Sequence, residues 1–212
     1  MRAIVFAGGD PLDPCWHGAV ANADLVVAAD SGLGHARTLG IRADVVVGDM
    51  DSVDAETLER ARFQGTRVER YSTLKDETDL ELAIATARRL GADAATIVGA
   101  GGGRLDHFLA NALLIAAPDW ADLRIDALVG SARVAVVRDH VELQGAIGSL
   151  VTLLALHGPA SGVTTRGLRW ELTGDVLTPG STRGVSNEMV EEIAIVMVED
   201  GVLLAIQPNG GR

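Results

Sequence analysis

Residues 95–107 have the sequence Ala-Thr-Ile-Val-Gly-Ala-Gly-Gly-Gly-Arg-Leu-Asp-His. The first four form a short run typical of a buried parallel strand, and helical periodicity begins at about residue 105. The glycines between them let a ligand approach the backbone, and the first N–H groups of the helix would point at it. Arg104 adds a planar donor for phosphate oxygens. This stretch predicts a strand–loop–helix unit that binds an anion; a flexible turn before an ordinary helix cap is the simpler alternative.

The same alternation of apolar runs and helical stretches extends over roughly the first 120 residues. Predicted strands lie at 3–7, 25–29, 45–47, 66–68 and 95–98, and predicted helices at 31–39, 54–63, 78–90 and 105–116. In the third helix, Thr78 and Glu81 have the spacing of a capping box, and Gly91 ends the helix. Strands that alternate with helices indicate an α/β domain with a doubly wound, mostly parallel sheet.

After Pro118 the helical periodicity disappears and strand-like segments recur between turn residues. They lie at 124–129, 133–137, 149–156, 163–165, 168–172 and 193–207. Asp200-Gly201 is a hairpin signal between two apolar strands. This region is predicted to be all-β, a sandwich or a barrel. We therefore expect two domains, comprising residues 1–124 and 125–212.

Composition excludes several classes of protein. The formal net charge of −11 argues against a nucleic-acid partner, which would need a basic surface. Cys15 is the single cysteine, so an internal disulfide and a cysteine-rich zinc site are ruled out, and its side chain is expected to pack as a small hydrophobe. No run approaches the roughly 18 apolar residues of a membrane span. We expect a cytoplasmic protein without a membrane partner.

Acidic residues follow the predicted strands at two further places. Residues 48–52 are Gly-Asp-Met-Asp-Ser, and residues 75–79 are Lys-Asp-Glu-Thr-Asp. Parallel strands end at one crevice, where such folds bind ligands, and carboxylates there suit Mg²⁺ and its phosphates. In an extended segment Asp49 and Asp51 would point the same way, toward one cation. Helix capping is the alternative at both places.

Lysine usage adds to the second motif. Of the 18 basic residues, 17 are arginine, and the one lysine is Lys75. A lysine kept in an arginine-rich chain suggests a need for a compact ammonium group. Asp30-Ser31 follows another predicted strand and could extend the same edge. Walker A and GxGxxG motifs are absent from the sequence, which disfavours a P-loop kinase and an ordinary dinucleotide dehydrogenase.

Taken in order, these motifs resemble the thiamine pyrophosphokinase family. The matching segments are 48–52, 75–79, 102–107 (Gly-Gly-Arg-Leu-Asp-His) with 109–111 (Leu-Ala-Asn), 167–170 (Gly-Leu-Arg-Trp) and 186–188 (Ser-Asn-Glu). They span both expected domains, and their ordered set is far more specific than any one motif. The resemblance implies an α/β domain that binds Mg-ATP, a C-terminal β-sandwich, and a homodimer with thiamine bound between subunits.

The resemblance also implies roles for individual residues. Mg²⁺ ligands would be Asp49, Asp51 and Asp79, with Arg104 as phosphate clamp and Asp106 near the phosphates. Further contacts to ATP are expected from Asp30, Ser31, Lys75, Asp76, Thr78, Gly102, Gly103 and His107. Thiamine would be bound by Trp170, Ser186 and Asn187. No role is assigned to segments 10–16 and 174–184.

The implied reaction transfers pyrophosphate from ATP to the thiamine hydroxyl and releases AMP. Asp51 or Asp106 could accept the hydroxyl proton, and the sequence does not choose between them. Two other functions remain open. One is a pyrophosphokinase for another alcohol such as a pterin, and the other is a non-catalytic module that senses a nucleotide or metal. The 167–170 and 186–188 segments favour thiamine, since they lie in the acceptor-binding part of the chain.

Overall fold

The computed structural model describes residues 1–102 and 104–212. Backbone contacts divide the chain into two compact units. The first comprises residues 1–111 and 122–130, and the second comprises residues 112–121 and 131–212.

The first unit contains a six-stranded sheet in which every neighbouring pair is parallel. Its strands are β1 (Arg2–Phe6), β2 (Leu25–Ala29), β3 (Val45–Gly48), β4 (Arg67–Arg70), β5 (Ala94–Val98) and β6 (Arg124–Val129), in the order β4-β3-β2-β1-β5-β6. The central strands β1, β2 and β3 are almost wholly buried, which explains their unbroken apolar sequences. Because the strands are parallel, the loops after them share one edge.

In the described parts of the chain, four α-helices connect these strands: α1 (Gly32–Thr38), α2 (Ala55–Phe63), α3 (Asp79–Arg89) and α4 (Leu105–Ile115). Short 3₁₀ helices cover Pro14–Val20 and Pro118–Trp120. Asp54 caps α2 through the Thr57 amide, and Thr78 caps α3 through the Glu81 amide. The α/β class and the positions of the four helices, predicted from periodicity, are confirmed.

Strand β6 differs from its expected place in the all-β region. It pairs in parallel with β5 in register from Ala94↔Arg124 to Val98↔Leu128. A parallel pair needs a crossover connection, and α4 provides it. Residues 122–130, which include β6, therefore belong to the first unit. The division into domains of residues 1–124 and 125–212 stays a prediction.

The second unit is antiparallel and is built around one long strand. Its strands are β7 (Ala132–Val137), β8 (His140–Gln144), β9 (Leu150–Arg166), β10 (Asp175–Leu177), β11 (Asn187–Glu188), β12 (Ile193–Met197) and β13 (Asp200–Gln207). The first part of β9 pairs with β13, which pairs with β7. Its last residues pair with β12, which pairs with β8. Buried side chains of both arrays, among them Leu153, Val196 and Leu203, form one core, as in a β-sandwich.

The Asp200-Gly201 turn does not close the predicted hairpin. Strands β12 and β13 are adjacent in sequence, yet each pairs with a different part of β9. The turn passes the chain from one array to the other. The strand predicted at 168–172 is replaced by an isolated bridge between Leu168 and Met189. No helix within residues 1–102 and 104–212 has both the length and the apolar composition needed to cross a bilayer.

Candidate functional site

A cavity of about 1070 Å³ lies in the first unit, at the edge where its strands end. Residues at four strand ends line it: Ala7–Asp10 after β1, Ala29–Ser31 at the end of β2, Asp49 and Ser52 after β3, and Gly99–Gly102 after β5. The residues that lead into α3 complete its wall. The predicted crevice at the carboxyl edge of the sheet is therefore present. Residues from all three motifs, at 48–52, 75–79 and 99–107, line it.

Three carboxylates converge in this cavity. Asp30, Asp49 and Asp79 each place one oxygen within 4.8 Å of the other two. Two unit charges at that distance repel by on the order of 3 kcal/mol at an effective dielectric constant near 20. Such a cluster needs cations near it, and it offers the hard oxygen ligands that Mg²⁺ prefers.

Asp30 is the most buried member of this group. Its side chain is 6% exposed, and its Oδ1 has no hydrogen-bond partner among the described residues. Burial raises the pKa of Asp30 above its ordinary value of 3.8, a hydrogen bond from Ser52 opposes the rise, and the neighbouring carboxylates add to it. Its backbone has φ of 44°, a left-handed conformation that aspartate tolerates better than most residues. A buried oxygen without a partner is what a missing ligand would satisfy.

Gly48 lies next to these carboxylates, and its lack of a side chain leaves space for them. A Cβ at this position would lie 3.0 Å from Oδ1 of Asp79 and 3.1 Å from Cβ of Asp30. Its φ of 141° is also one that other residues rarely adopt. The absence of a side chain here thus keeps the group accessible. Together with the unpartnered oxygen of Asp30, it makes the described residues a good fit to a divalent cation.

Asp51 lies outside the three-carboxylate group. The extended geometry expected for residues 49–51 is interrupted at Met50, whose φ is 66°. As a result the Asp51 amide turns back and donates to Oδ1 of Asp49 at 3.1 Å, and Asp51 is exposed. Asp30, expected among the ATP contacts, takes the third position. The role of Asp51 as a metal ligand stays a prediction.

Lys75 is bound to this group. Its Nζ lies 2.7 Å from Oδ1 of Asp79 and 3.7 Å from Oδ2 of Asp49. Burial lowers the pKa of Lys75, but the hydrogen bond to Asp79 and the surrounding carboxylates outweigh this and raise it. The ammonium is therefore charged at neutral pH.

Two glycine-rich loops form the other side of the cavity. The Gly9 amide donates to the Gly99 carbonyl and the Asp10 amide donates to the Gly101 carbonyl, both at 2.8 Å. A Cβ on Gly9 would lie 2.1 Å from the Gly101 carbonyl oxygen, so the loops touch only because side chains are missing. Asp10 also lines the cavity, although no role was expected for it from the sequence. The sequence pattern could have indicated this position, because Gly8-Gly9-Asp10 follows β1 just as the acidic motifs follow their strands.

The remaining residues of the glycine-rich motif behave differently from one another. Gly102, Arg104, Asp106 and His107 line the cavity, whereas Gly103 lies outside the described residues. Arg104 pairs with Asp106 at 2.5 Å, and this hydrogen bond lowers the pKa of Asp106 to about 2. Both side chains are largely exposed, so Arg104 is accessible to a phosphate. Asn111 also lines the cavity, and its Nδ2 holds the Ala100 carbonyl at 2.8 Å.

The other residues expected at the ATP side fall into two groups. Ser31 and Thr78 line the cavity, and the Thr78 hydroxyl also accepts from the Glu81 amide as the α3 cap. Asp76 is exposed and is not among the lining residues. Helix capping therefore explains the position of Thr78. It does not explain Asp79, which belongs to the carboxylate group, or Lys75, which contacts that group.

In the second unit, the three residues expected to bind thiamine lie close together. The Asn187 side chain is 7% exposed, accepts from the Trp170 amide at 3.1 Å and donates to the Trp170 carbonyl at 2.8 Å. Trp170 itself is 60% exposed, with the Arg169 guanidinium 6.0 Å from its ring centre. The Ser186 amide donates to the Thr152 hydroxyl at 3.0 Å, and its φ is 58°. Asn187 thus holds the segment that presents an exposed aromatic face.

Comparison with known proteins agrees with these features. The family model described as thiamin pyrophosphokinase, catalytic domain, matches residues 16–126, and that of the thiamin pyrophosphokinase vitamin B1 binding domain matches residues 140–203. The thiamine pyrophosphokinase of Bacillus subtilis is 25% identical over 218 residues, covering 98% of this chain and 99% of the relative. Thiamine pyrophosphokinase 2 of Arabidopsis thaliana is 28% identical over 176 residues, covering 78% of this chain but 65% of the relative, just under two thirds.

A solved structure extends the similarity to the whole fold. The crystal structure of a thiamin pyrophosphokinase family protein from Enterococcus faecalis matches with a TM-score of 0.82 and 26% identity. The match covers 98% of each chain. Both units thus have counterparts in one known protein.

Proposed function

Because this chain belongs to the thiamine pyrophosphokinase family, as the match over residues 16–126 shows, we propose that it transfers the pyrophosphoryl group of ATP to the hydroxyl of thiamine. The products are thiamine diphosphate and AMP. The observation that carries the proposal is the convergence of Asp30, Asp49 and Asp79 in a cavity also lined by two glycine-rich loops. This arrangement supplies metal ligands and an anion-binding backbone in the same place.

Asp30, Asp49 and Asp79 would hold Mg²⁺, and Asp51 would complete the ligand set if its segment rearranges. When bound, Mg²⁺ would neutralise and orient phosphate oxygens. The unpartnered Oδ1 of Asp30 supports this assignment, because no group of the described residues hydrogen-bonds to it. The three carboxylates come from three different parts of the chain: the turn after β2, the loop after β3 and the start of α3.

The triphosphate would lie along the loops of residues 7–10 and 99–102. Arg104 would offer a guanidinium fork to the phosphate oxygens. Gly102 packs closely against Asp10, since a Cβ at Gly102 would lie 2.0 Å from Cγ of Asp10. Lys75 supplies a second cation at the carboxylate side. Positioning and charge neutralisation of this kind dominate phosphoryl-type transfer.

The thiamine hydroxyl oxygen would attack the β-phosphorus, and the bond from that phosphorus to the α–β bridging oxygen would break. AMP leaves with the bridging oxygen, and the hydroxyl proton passes to a carboxylate, Asp51 or Asp106. While Arg104 pairs with Asp106, the pKa of Asp106 stays at about 2 and the group is a weak base. Release of Arg104 to a phosphate would remove that restraint.

Trp170 would bind thiamine, with Ser186 and Asn187 shaping its surroundings. An exposed indole face attracts a cationic ring by roughly 0.5–2 kcal/mol, and the thiazolium of thiamine is cationic. The homodimer and the cytoplasmic location remain predictions of the family resemblance and of composition.

Product analysis with alternative acceptors tests the proposal. The purified chain is incubated with Mg-ATP and either thiamine, a pterin alcohol or no acceptor, and nucleotides are separated by chromatography. We expect AMP and thiamine diphosphate in equal amounts with thiamine alone. AMP formation with the pterin alcohol but not with thiamine would show that thiamine is not the acceptor. The absence of AMP under every condition would favour a nucleotide-sensing module.

A further inference from the structure

The structure places a basic side chain where a metal ion would be expected to act. Lys75 Nζ contacts Asp79 at 2.7 Å and lies 3.7 Å from Asp49, and its side chain is only 12% exposed. It therefore places one positive charge beside two of the three carboxylates of the group, from within the cavity. Arg104, the cavity's other named cation, instead pairs with Asp106.

We propose that Lys75 is the resident counter-ion of the Asp30–Asp49–Asp79 group, and that a divalent cation binds well only when a nucleotide arrives with it to accept the displaced ammonium. The inference rests on the proposed function, because it assumes that this group holds the metal.

Charge balance supports this role. The three carboxylates carry up to three negative charges, and the ammonium leaves a net charge of about −2. A free divalent cation entering beside Lys75 meets a positive charge a few ångströms away, which opposes binding. Phosphate oxygens give the ammonium a new partner, so metal and nucleotide each strengthen the binding of the other, as reciprocal linkage requires.

The residue type fits the same role. Lys75 is the single lysine among 18 basic residues. An ammonium is a compact charge on a flexible four-carbon stem, so it can leave a carboxylate for a phosphate a short distance away. A guanidinium presents its donors in a rigid planar fork, which suits a fixed bidentate partner better than one that is exchanged. The lysine thus suits a group that changes partners.

Binding of Mn²⁺, followed by electron paramagnetic resonance, tests the inference without turnover. Wild type and Lys75→Met are titrated with Mn²⁺ alone and then with α,β-methylene ATP, whose bridging carbon blocks the reaction. We expect Lys75→Met to bind free Mn²⁺ at least about tenfold more tightly than wild type. The analogue should strengthen Mn²⁺ binding strongly in wild type and much less in the variant.

Two controls accompany this titration. Arg104→Met removes a cation from the same cavity but leaves the carboxylate group untouched, and its affinity for free Mn²⁺ should stay within about twofold of wild type. Should Lys75→Met fold poorly, Lys75→Gln replaces it. Thermal unfolding with and without MgCl₂ should then show greater stabilisation by Mg²⁺ in the lysine variant than in wild type.

The outcomes separate this inference from the proposed function. Equal affinity of wild type and Lys75→Met for free Mn²⁺, with Mn²⁺ and the ATP analogue still bound together by wild type, overturns the counter-ion role alone. If wild type fails to retain Mn²⁺ even with the analogue, the metal site and the proposed function fail, and this inference fails with them.

Discussion

Asn187 holds Trp170 at both of its backbone groups, accepting from its amide at 3.1 Å and donating to its carbonyl at 2.8 Å. The asparagine is buried, whereas the indole is 60% exposed. Both residues were expected from the sequence to contact thiamine, but the structure indicates a different role for each. Asn187 positions the segment, and Trp170 presents a surface.

Asn187→Ala should therefore destabilise the protein and weaken thiamine binding through Trp170. Losing a buried side chain that makes several hydrogen bonds costs about 1–3 kcal/mol, measurable by urea unfolding. The KM for thiamine should rise while that for ATP stays nearly unchanged. Arg169→Ala, which removes the exposed pair with Glu188 and the guanidinium near the Trp170 ring, should cost about 1 kcal/mol or less. Equal losses in the two variants would contradict this role of Asn187.

Trp170→Ala tests the proposed thiamine contact itself. Removing a cation–π partner worth roughly 0.5–2 kcal/mol should raise the KM for thiamine by up to about 30-fold. Because the side chain is exposed, the urea midpoint should hardly change. A larger effect on the KM for ATP than on that for thiamine would count against the placement.

Asp30→Asn separates the stability of the site from its activity. The pKa of Asp30 is raised in the folded chain, so its ionisation opposes folding. That cost is absent below about pH 3.8 and fully present above the folded pKa. The groups around the carboxyl are Ser52, Asp49, Asp51, Asp79 and Lys75. Asparagine also tolerates the positive φ at this position.

In EDTA at pH 7, Asp30→Asn should thus be more stable than wild type, and the difference should shrink as pH falls toward 3.8. Turnover should fall by at least about 100-fold, since a metal ligand contributes several kcal/mol. Asp76→Asn, at an exposed carboxyl, should change stability by no more than about 0.5 kcal/mol at any pH. A destabilised Asp30→Asn variant with unchanged turnover would refute both the unfavourable ionisation of Asp30 in the folded chain and its role as a metal ligand.

Gly48→Ala should disturb the carboxylate group directly. The added Cβ would lie 3.0 Å from Oδ1 of Asp79 and would require an unfavourable φ of 141°. We expect weaker binding of Mn²⁺ with nucleotide and lower stability, by about 1–3 kcal/mol. Gly34→Ala is the matched control, because it lies in α1 with open space around its Cβ and should stabilise the helix by up to about 1 kcal/mol. Indistinguishable variants would argue that Gly48 is not needed for the shape of the group.

Much of the fold follows from local pattern. Apolar runs of three to five residues, separated by capped helices, were enough to predict the parallel sheet and its helices. Pairing between distant strands was harder to predict. Strand β6 looked like the start of the all-β region because its residues do not reveal whether their partner runs parallel or antiparallel. The Asp-Gly turn before β13 likewise indicates a reversal of the chain but not which strands pair.

The candidate site, like the fold, was only partly predictable from local sequence pattern. The rule that strand ends share one edge brought Asp49, Asp79 and Lys75 together from sequence alone. It could not rank Asp30 above Asp51, because their positions depend on the left-handed backbone at Asp30 and Met50. Burial of Asp30 and the hydrogen bonds of Asn187 arise from tertiary packing, so no local pattern encodes them.

The central claim, pyrophosphoryl transfer, is tested most directly by following two phosphorus labels. The chain is incubated with Mg²⁺, thiamine and ATP labelled with ³²P at either the α or the γ position, and products are separated by thin-layer chromatography. We predict that the α label appears in AMP and the γ label in thiamine diphosphate. Recovery of the α label in ADP, with the γ label in thiamine monophosphate or inorganic phosphate, would contradict the account.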